Sequence, residues 1–218
     1  MTKKLIFICE GQTELFFCER LLKQHFANLS IDIECHIIAH SNGGIVKWKH
    51  LKKQIEDTLS IENNAYVTTF IDYYGMEYHH DFPNWNISLA EINKAVRMDI
   101  LETAMLQNVD IVLKKRFIPY IQLHEFEAYV FADYKAFEDY YTPREANFTA
   151  LKTVCNLYPN PEDINDNVIT APSKRLEKHI SRYDKISHGV DICSSIGLNG
   201  IRNKCPRFNN WLTAIENI

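Results

Sequence analysis

Apolar residues run unbroken from Leu5 to Cys9, and the run stops at Glu10-Gly11-Gln12-Thr13-Glu14. A short apolar run of this kind predicts a buried strand over 4–9. The spacing then changes: Leu15, Phe16, Cys18, Leu21, Leu22 and Phe26 stripe one face of a helix over 12–27. Alternation returns over 31–39, where Ile31, Ile33, Cys35 and Ile37 interleave with Asp32, Glu34 and His36, and Ser41-Asn42-Gly43-Gly44 breaks the chain. A helix over 45–60 carries Lys47, Lys49, Lys52 and Lys53, and the third strand, Tyr66 to Ile71, ends at Asp72. After a loop containing His79-His80-Asp81, a helix is expected over 88–107, with Ser88 as N-cap and Glu91 as its capping-box partner. The fourth strand spans Arg116 to Leu123. Pro119 lacks an N–H to donate and so predicts an edge position or a bulge. Glu125 and Glu127 follow at once and open a further helix.

Beyond residue 134 strand-like runs cease. Short helical segments alternate with Tyr158-Pro159-Asn160-Pro161, Thr170-Ala171-Pro172-Ser173 and Lys204-Cys205-Pro206, and a last helix covers about 206–217. The expected class is α/β, a small, mainly parallel sheet flanked by helices, with a C-terminal helical extension. Residues 1–133 form the α/β core and 134–218 pack on it.

With 218 residues, 46% of them hydrophobic, the chain has enough apolar material for a sizeable core. The net charge of −4 and pI of about 6.1 give no general basic footprint for nucleic acid, so any such contact needs a local patch or a basic partner. The six cysteines are scattered without a CxxC pair. They read as reduced thiols of a cytoplasmic protein, with Cys9 and Cys18 in core positions. The Met-Thr-Lys-Lys start lacks a signal-peptide pattern, and no apolar run approaches the roughly 20 residues of a membrane span.

Three apolar strands therefore end in acids: Glu10, Asp72 and the Glu125/Glu127 pair. In a parallel sheet those ends share one edge, where open α/β sheets bind ligands. Converged carboxylates repel one another unless a cation compensates them, and hard oxygen ligands favour Mg²⁺ or Mn²⁺ over zinc. Such a centre suits phosphoryl transfer, with a spare carboxylate as general base. Acids after strands also serve as helix caps and first-turn residues, the bland reading of each one alone. Glu14 stands between a supporting acid of the site and an ordinary first-turn residue.

The segments Glu10-Gly11-Gln12-Thr13-Glu14, Asp72-Tyr73-Tyr74-Gly75 and Pro119 to Ala128, with Ala171 to Leu176 and Cys205 to Asn209, resemble the family catalogued as domain of unknown function 4276. That resemblance implies similarity to TOPRIM domains, the metal-dependent catalytic fold of topoisomerases, primases and related nucleases. It also implies a setting beside AAA or ABC-type ATPases in bacterial antiviral defence. The TOPRIM pattern has a Glu after the first strand, matched by Glu10, and an Asp-x-Asp later, matched at Asp72 but not at Tyr74. Glu127 or Glu125 would have to substitute, and Glu127 is favoured.

Lys174 and Arg175, at a helix start, are candidates to hold a phosphate, Lys174 foremost. The lysines over 47–53 suit either a phosphate track or a wet helix face. Gly43-Gly44 resembles a weak anion turn, His79-His80-Asp81 a remote metal candidate, and His124 a neighbour of the acids. The favoured activity is Mg²⁺- or Mn²⁺-dependent endonuclease cleavage, of DNA before RNA. Glu10, Asp72 and Glu127 hold the metal with Glu125 as a further ligand, Glu10 alternatively acts as base, and an ATPase partner gates the activity. The alternative is a non-catalytic binding or regulatory subunit of an ATPase complex; a third reading is phosphoester chemistry on a nucleotide. No membrane partner is expected.

Overall fold

A computed structural model describes residues 2–41, 44–164, 167 and 169–218. Its centre is a five-stranded parallel sheet of β1 (Lys3–Cys9), β2 (Ile31–Ile37), β3 (Ala65–Asp72), β4 (Phe117–Ile118) and β5 (Ile121–Gln122). The order is β2-β1-β3-β4, with β5 also paired to β3. The chain leaves β1 for β2 on one side and returns across β1 to reach β3. The carboxyl ends of β1 and β3 thus flank a point where strand order reverses, the usual ligand position in an open α/β sheet.

β4 and β5 are one edge strand broken in two. Val67↔Phe117 and Thr68↔Ile118 pair before the break, and Ile71↔Ile121 and Asp72↔Gln122 after it. Pro119 lies in the gap, as its missing donor predicts. Thr69 bridges the gap: its Oγ1 accepts from Tyr120 N (2.9 Å) and donates to Tyr120 O (2.9 Å), so Tyr120 is not left unpaired in the core.

Several of the segments read from the sequence recur with shifted ends, and some differ in kind. The first helix is α1 (Gln12–Phe17) and α2 (Lys23–Asn28) joined through a π-helical turn at Cys18–Leu22. β2 ends at Ile37, and α3 occupies Trp48–Ile61. The expected helix over 88–107 is instead two: α4 (Trp85–Leu89) and α5 (Lys94–Asn108). Ser88 is not the cap; it lies buried in α4 and donates to Trp85 O (2.7 Å). Asn93 caps α5, accepting from Ala95 N (2.9 Å) and Val96 N (3.3 Å), while Glu91 accepts from Asn93 N (2.7 Å). Asn wins here because its short side chain reaches forward to the first-turn amides. After Glu125 comes a 3-10 helix, Phe126–Ala132, buried at every position.

The C-terminal part is helical: α6 (Lys135–Tyr140), α7 (Phe148–Leu157), α8 (Pro172–His179), α9 (Ser187–Ile196), α10 (Leu198–Lys204) and α11 (Pro206–Glu216). Strand alternation sends Leu5, Phe7, Cys9 and Phe70 to the face that meets α1, α2 and the C-terminal helices, and Ile6, Ile8, Val67 and Ile71 to the face covered by α3 and α5. Trp211 of α11 seals the first face. Its ring stacks on Tyr120 (centroids 4.1 Å apart, planes 4° apart), and its indole N–H donates to Thr68 Oγ1 (2.9 Å). Among the described residues no helix is long and apolar enough to cross a membrane.

Candidate functional site

β1 delivers Glu10 and β3 delivers Asp72 to the same edge, and one hydrogen bond joins them: Asp72 N donates to Glu10 Oε2 (2.9 Å). Beyond the strands the backbone pairing continues, Tyr73 N to Gln122 O (2.9 Å) and Tyr74 N to His124 O (2.7 Å). His124 then takes a left-handed conformation, φ 70°, unusual for a non-glycine residue. That turn directs the chain into the buried 3-10 helix and sets Glu127 on the site. Glu14 comes from the first turn of α1 and reaches back to accept from Gly11 N (2.9 Å). Glu14, Asp72 and Glu127 are all buried, Glu127 completely, while Glu10 keeps partial exposure at the rim.

The cation facing these acids is Lys185, from the segment joining α8 to α9. Its Nζ lies 3.2 Å from Glu127 Oε2 and 3.8 Å from Asp72 Oδ2. Among the described residues, one ammonium therefore serves a group of four carboxylates. Burial pushes Glu127 up to about 7 against the pull of Lys185. Burial also raises Glu10 to about 7 despite its partial exposure, opposed by the Asp72 amide and reinforced by Glu14. Asp72 is pushed well above the ordinary carboxylate range, first by burial and then, against the pull of Lys185, by Glu14, Glu10 and Glu127. Glu14 is raised by burial. Burial alone would lower Lys185, but Glu127, Asp72 and Glu14 outweigh it and hold the ammonium above its ordinary value.

Asp72 Oδ1 and Glu127 Oε1 are buried without a hydrogen-bond partner, an expensive state for a carboxylate. Among the described residues no three His, Cys, Asp or Glu side chains are arranged to hold a metal ion together. Asp72 and Glu127 turn towards Lys185 instead. The donor chemistry nevertheless suits a hard divalent cation: every ligand atom is oxygen, and two of them lack any other partner.

The remaining sequence candidates make contacts of their own. Glu125 caps α8, accepting from Ser173 N (2.9 Å) and Ser173 Oγ (3.0 Å). Glu162 plays the same part for α11, accepting from Arg207 N and Phe208 N (2.9 Å each). Lys174 pairs with Glu177 on the outer face of α8 (2.7 Å), and Arg175 donates to Thr170 O (2.7 Å) with its guanidinium over the Tyr158 ring. Lys52 and Lys53 pair along α3 with Glu56 and Asp57, the wet-face pattern. His80 Nδ1 accepts from Glu77 N (2.9 Å) to close its own turn, and the anion turn at Gly43-Gly44 includes Gly43, which lies outside the described residues. A cleft lined by Arg144, Asn147, Phe148 and Lys178 lies away from the acids.

Lys185 escaped the sequence reading because it sits in a polar segment without periodicity. The only signal for it was chemical: buried acids on one edge require a counter-charge. No curated protein and no solved structure matches the chain. Residues 9–216 match the family described as Domain of unknown function (DUF4276), a span that takes in Glu10, Glu14, Asp72, Glu127 and Lys185, and the chain belongs to that family.

Proposed function

We propose that the protein is a divalent-metal-dependent nuclease whose centre is formed by Glu10, Asp72 and Glu127, with Glu14 in support. The observation that carries this reading is the pair of buried oxygens without partners, Asp72 Oδ1 and Glu127 Oε1, within an acid group that a single lysine under-compensates. Glu10, Asp72 and Glu127 would hold a Mg²⁺ or Mn²⁺ ion, which when bound would neutralise phosphate charge and acidify a water. Alternatively Glu10, at the partly exposed rim, would leave the ion to the other acids and take a proton from an attacking water. Lys174, on the outer face of α8, would steady the phosphate, while Lys185 is the positive charge that faces the acids. The likeness of the strand-end acids to the TOPRIM pattern supports a phosphodiester as the bond cleaved, in DNA before RNA. The likeness to ATPase-associated defence proteins supports an antiviral role gated by a partner ATPase.

A second reading, a non-catalytic regulatory subunit of an ATPase complex, draws on Tyr74 standing where the TOPRIM pattern has its second Asp, and on Lys185 already occupying the acids. Plasmid nicking with Mn²⁺ separates the two. The wild-type chain with its partner should nick. Glu10→Ala and Asp72→Ala should each lose about 10²-fold or more, the scale of removing a group that stabilises the transition state. Equal nicking by wild type and both variants, or none by any, would favour the regulatory reading.

A further inference from the structure

We propose that Lys185 is a resident counter-ion that a divalent cation must displace, so that metal loading and the seated Lys185 ammonium exclude one another; this inference rests on the metal reading above. The ammonium faces Asp72 Oδ2 at 3.8 Å and Glu127 Oε2 at 3.2 Å, the same two carboxylates whose other oxygens are buried without a partner. A hard divalent ion binds carboxylate oxygen at about 2.0–2.6 Å. Drawn to Asp72 and Glu127, it would meet the ammonium at contact range, where like charges in a partly desolvated site repel strongly. Lys185 is built to withdraw. Its side chain keeps 44% of its surface exposed, so it enters the acid group from the solvent side. Its backbone is held on both sides: Ser181 N donates to Glu145 O, Tyr183 packs against the core, Asp184 Oδ1 accepts from Ser187 N and Oγ at the start of α9, Asp184 N donates to His188 Nδ1, and Asp184 O accepts from His188 N. Ser181, Arg182, Asp184 and Ile186 are exposed around it. The flexible four-carbon stem lets the ammonium leave for solvent while the backbone stays in place.

Amine acetylation of the wild-type chain, read residue by residue by peptide mass spectrometry, tests this with and without Mn²⁺. Lys53, exposed on α3, is the internal reference. The expected result is slow acetylation of Lys185 in the metal-free chain, rising several-fold with Mn²⁺ while Lys53 is unchanged. In parallel, calorimetric titration with Mn²⁺ should show Lys185→Gln binding about tenfold or more tighter than wild type, because the competing charge is gone. Binding by Lys185→Gln alone would also support the inference, as a plug that wild type never releases. Mn²⁺ binding by wild type with Lys185 acetylation unchanged or slowed, or with equal or weaker affinity in Lys185→Gln, would overturn the inference and leave the metal reading standing. Absence of binding by both chains would overturn both. Should Lys185→Gln fail to fold without metal, the wild-type acetylation decides alone.

Discussion

Glu127 has no exposed surface, and Oε1 finds no hydrogen bond. Its carboxyl is raised from 4.5 to about 7, so the folded chain holds that proton more tightly than the unfolded chain does. The resulting stabilisation is complete below about pH 4.5 and is lost as pH rises through about 7. At about 1.4 kcal/mol per unit, the loss is roughly 3 kcal/mol between pH 4.5 and pH 8. Urea denaturation of the metal-free chain should therefore give a lower midpoint at pH 8 than at pH 5, and Glu127→Gln should flatten that slope. A wild-type midpoint independent of pH across this interval would contradict the placement of Glu127 among under-compensated acids. At this scale the sequence made Glu10, Asp72 and Glu127 legible, because each follows a strand whose apolar pattern is unambiguous. The strand pattern did not separate Glu127 from Glu125, and only the family resemblance favoured Glu127. That distinction depends on the left-handed turn at His124 and on Ser173, 48 residues away, which claims Glu125.

Among the elements, the broken edge strand does most to shape the site. Pro119 interrupts the ladder, and Thr69 restores the hydrogen bonds that Tyr120 would otherwise lose. Beyond the break β5 re-pairs with Ile71 and Asp72 and carries the chain on to Glu127. Thr69→Val keeps the shape and removes the hydroxyl, leaving a buried amide and carbonyl of Tyr120 unpaired, at a cost of about 1–3 kcal/mol. The check is a chemical-denaturation midpoint; a variant as stable as wild type would show that Thr69 does not bridge the gap. Proline in a strand run announces an interruption, so the break was legible. The compensation by Thr69 was not, because a threonine inside a β-branched run looks like any other strand residue. The helix expected over 88–107 went astray for a related reason. Ser88 and Glu91 fit a capping box by spacing, while Asn93, five residues on, has the reach that the actual helix start uses.

For the whole molecule, the candidate centre exists only when distant parts of the chain meet. Glu10 and Asp72 come from the sheet and Glu127 from the buried 3-10 helix. Lys185 comes from the helical C-terminal part, whose Trp211, Phe208 and Leu212 share a hydrophobic cluster with Phe7 and Phe70 of the sheet. A chain with net charge −4 has no overall attraction for a polyanion, so the positive charge needed at the acid edge must be local. In the metal-free chain Lys185 supplies one unit, and a divalent cation that displaces it would supply two. Electron paramagnetic resonance of Mn²⁺ titrated into the full chain tests that claim most directly, with Asp72→Asn as the control. The expected result is one bound Mn²⁺ per wild-type chain and loss of that binding in Asp72→Asn. Free Mn²⁺ throughout the wild-type titration, or binding that survives Asp72→Asn undiminished, would contradict it.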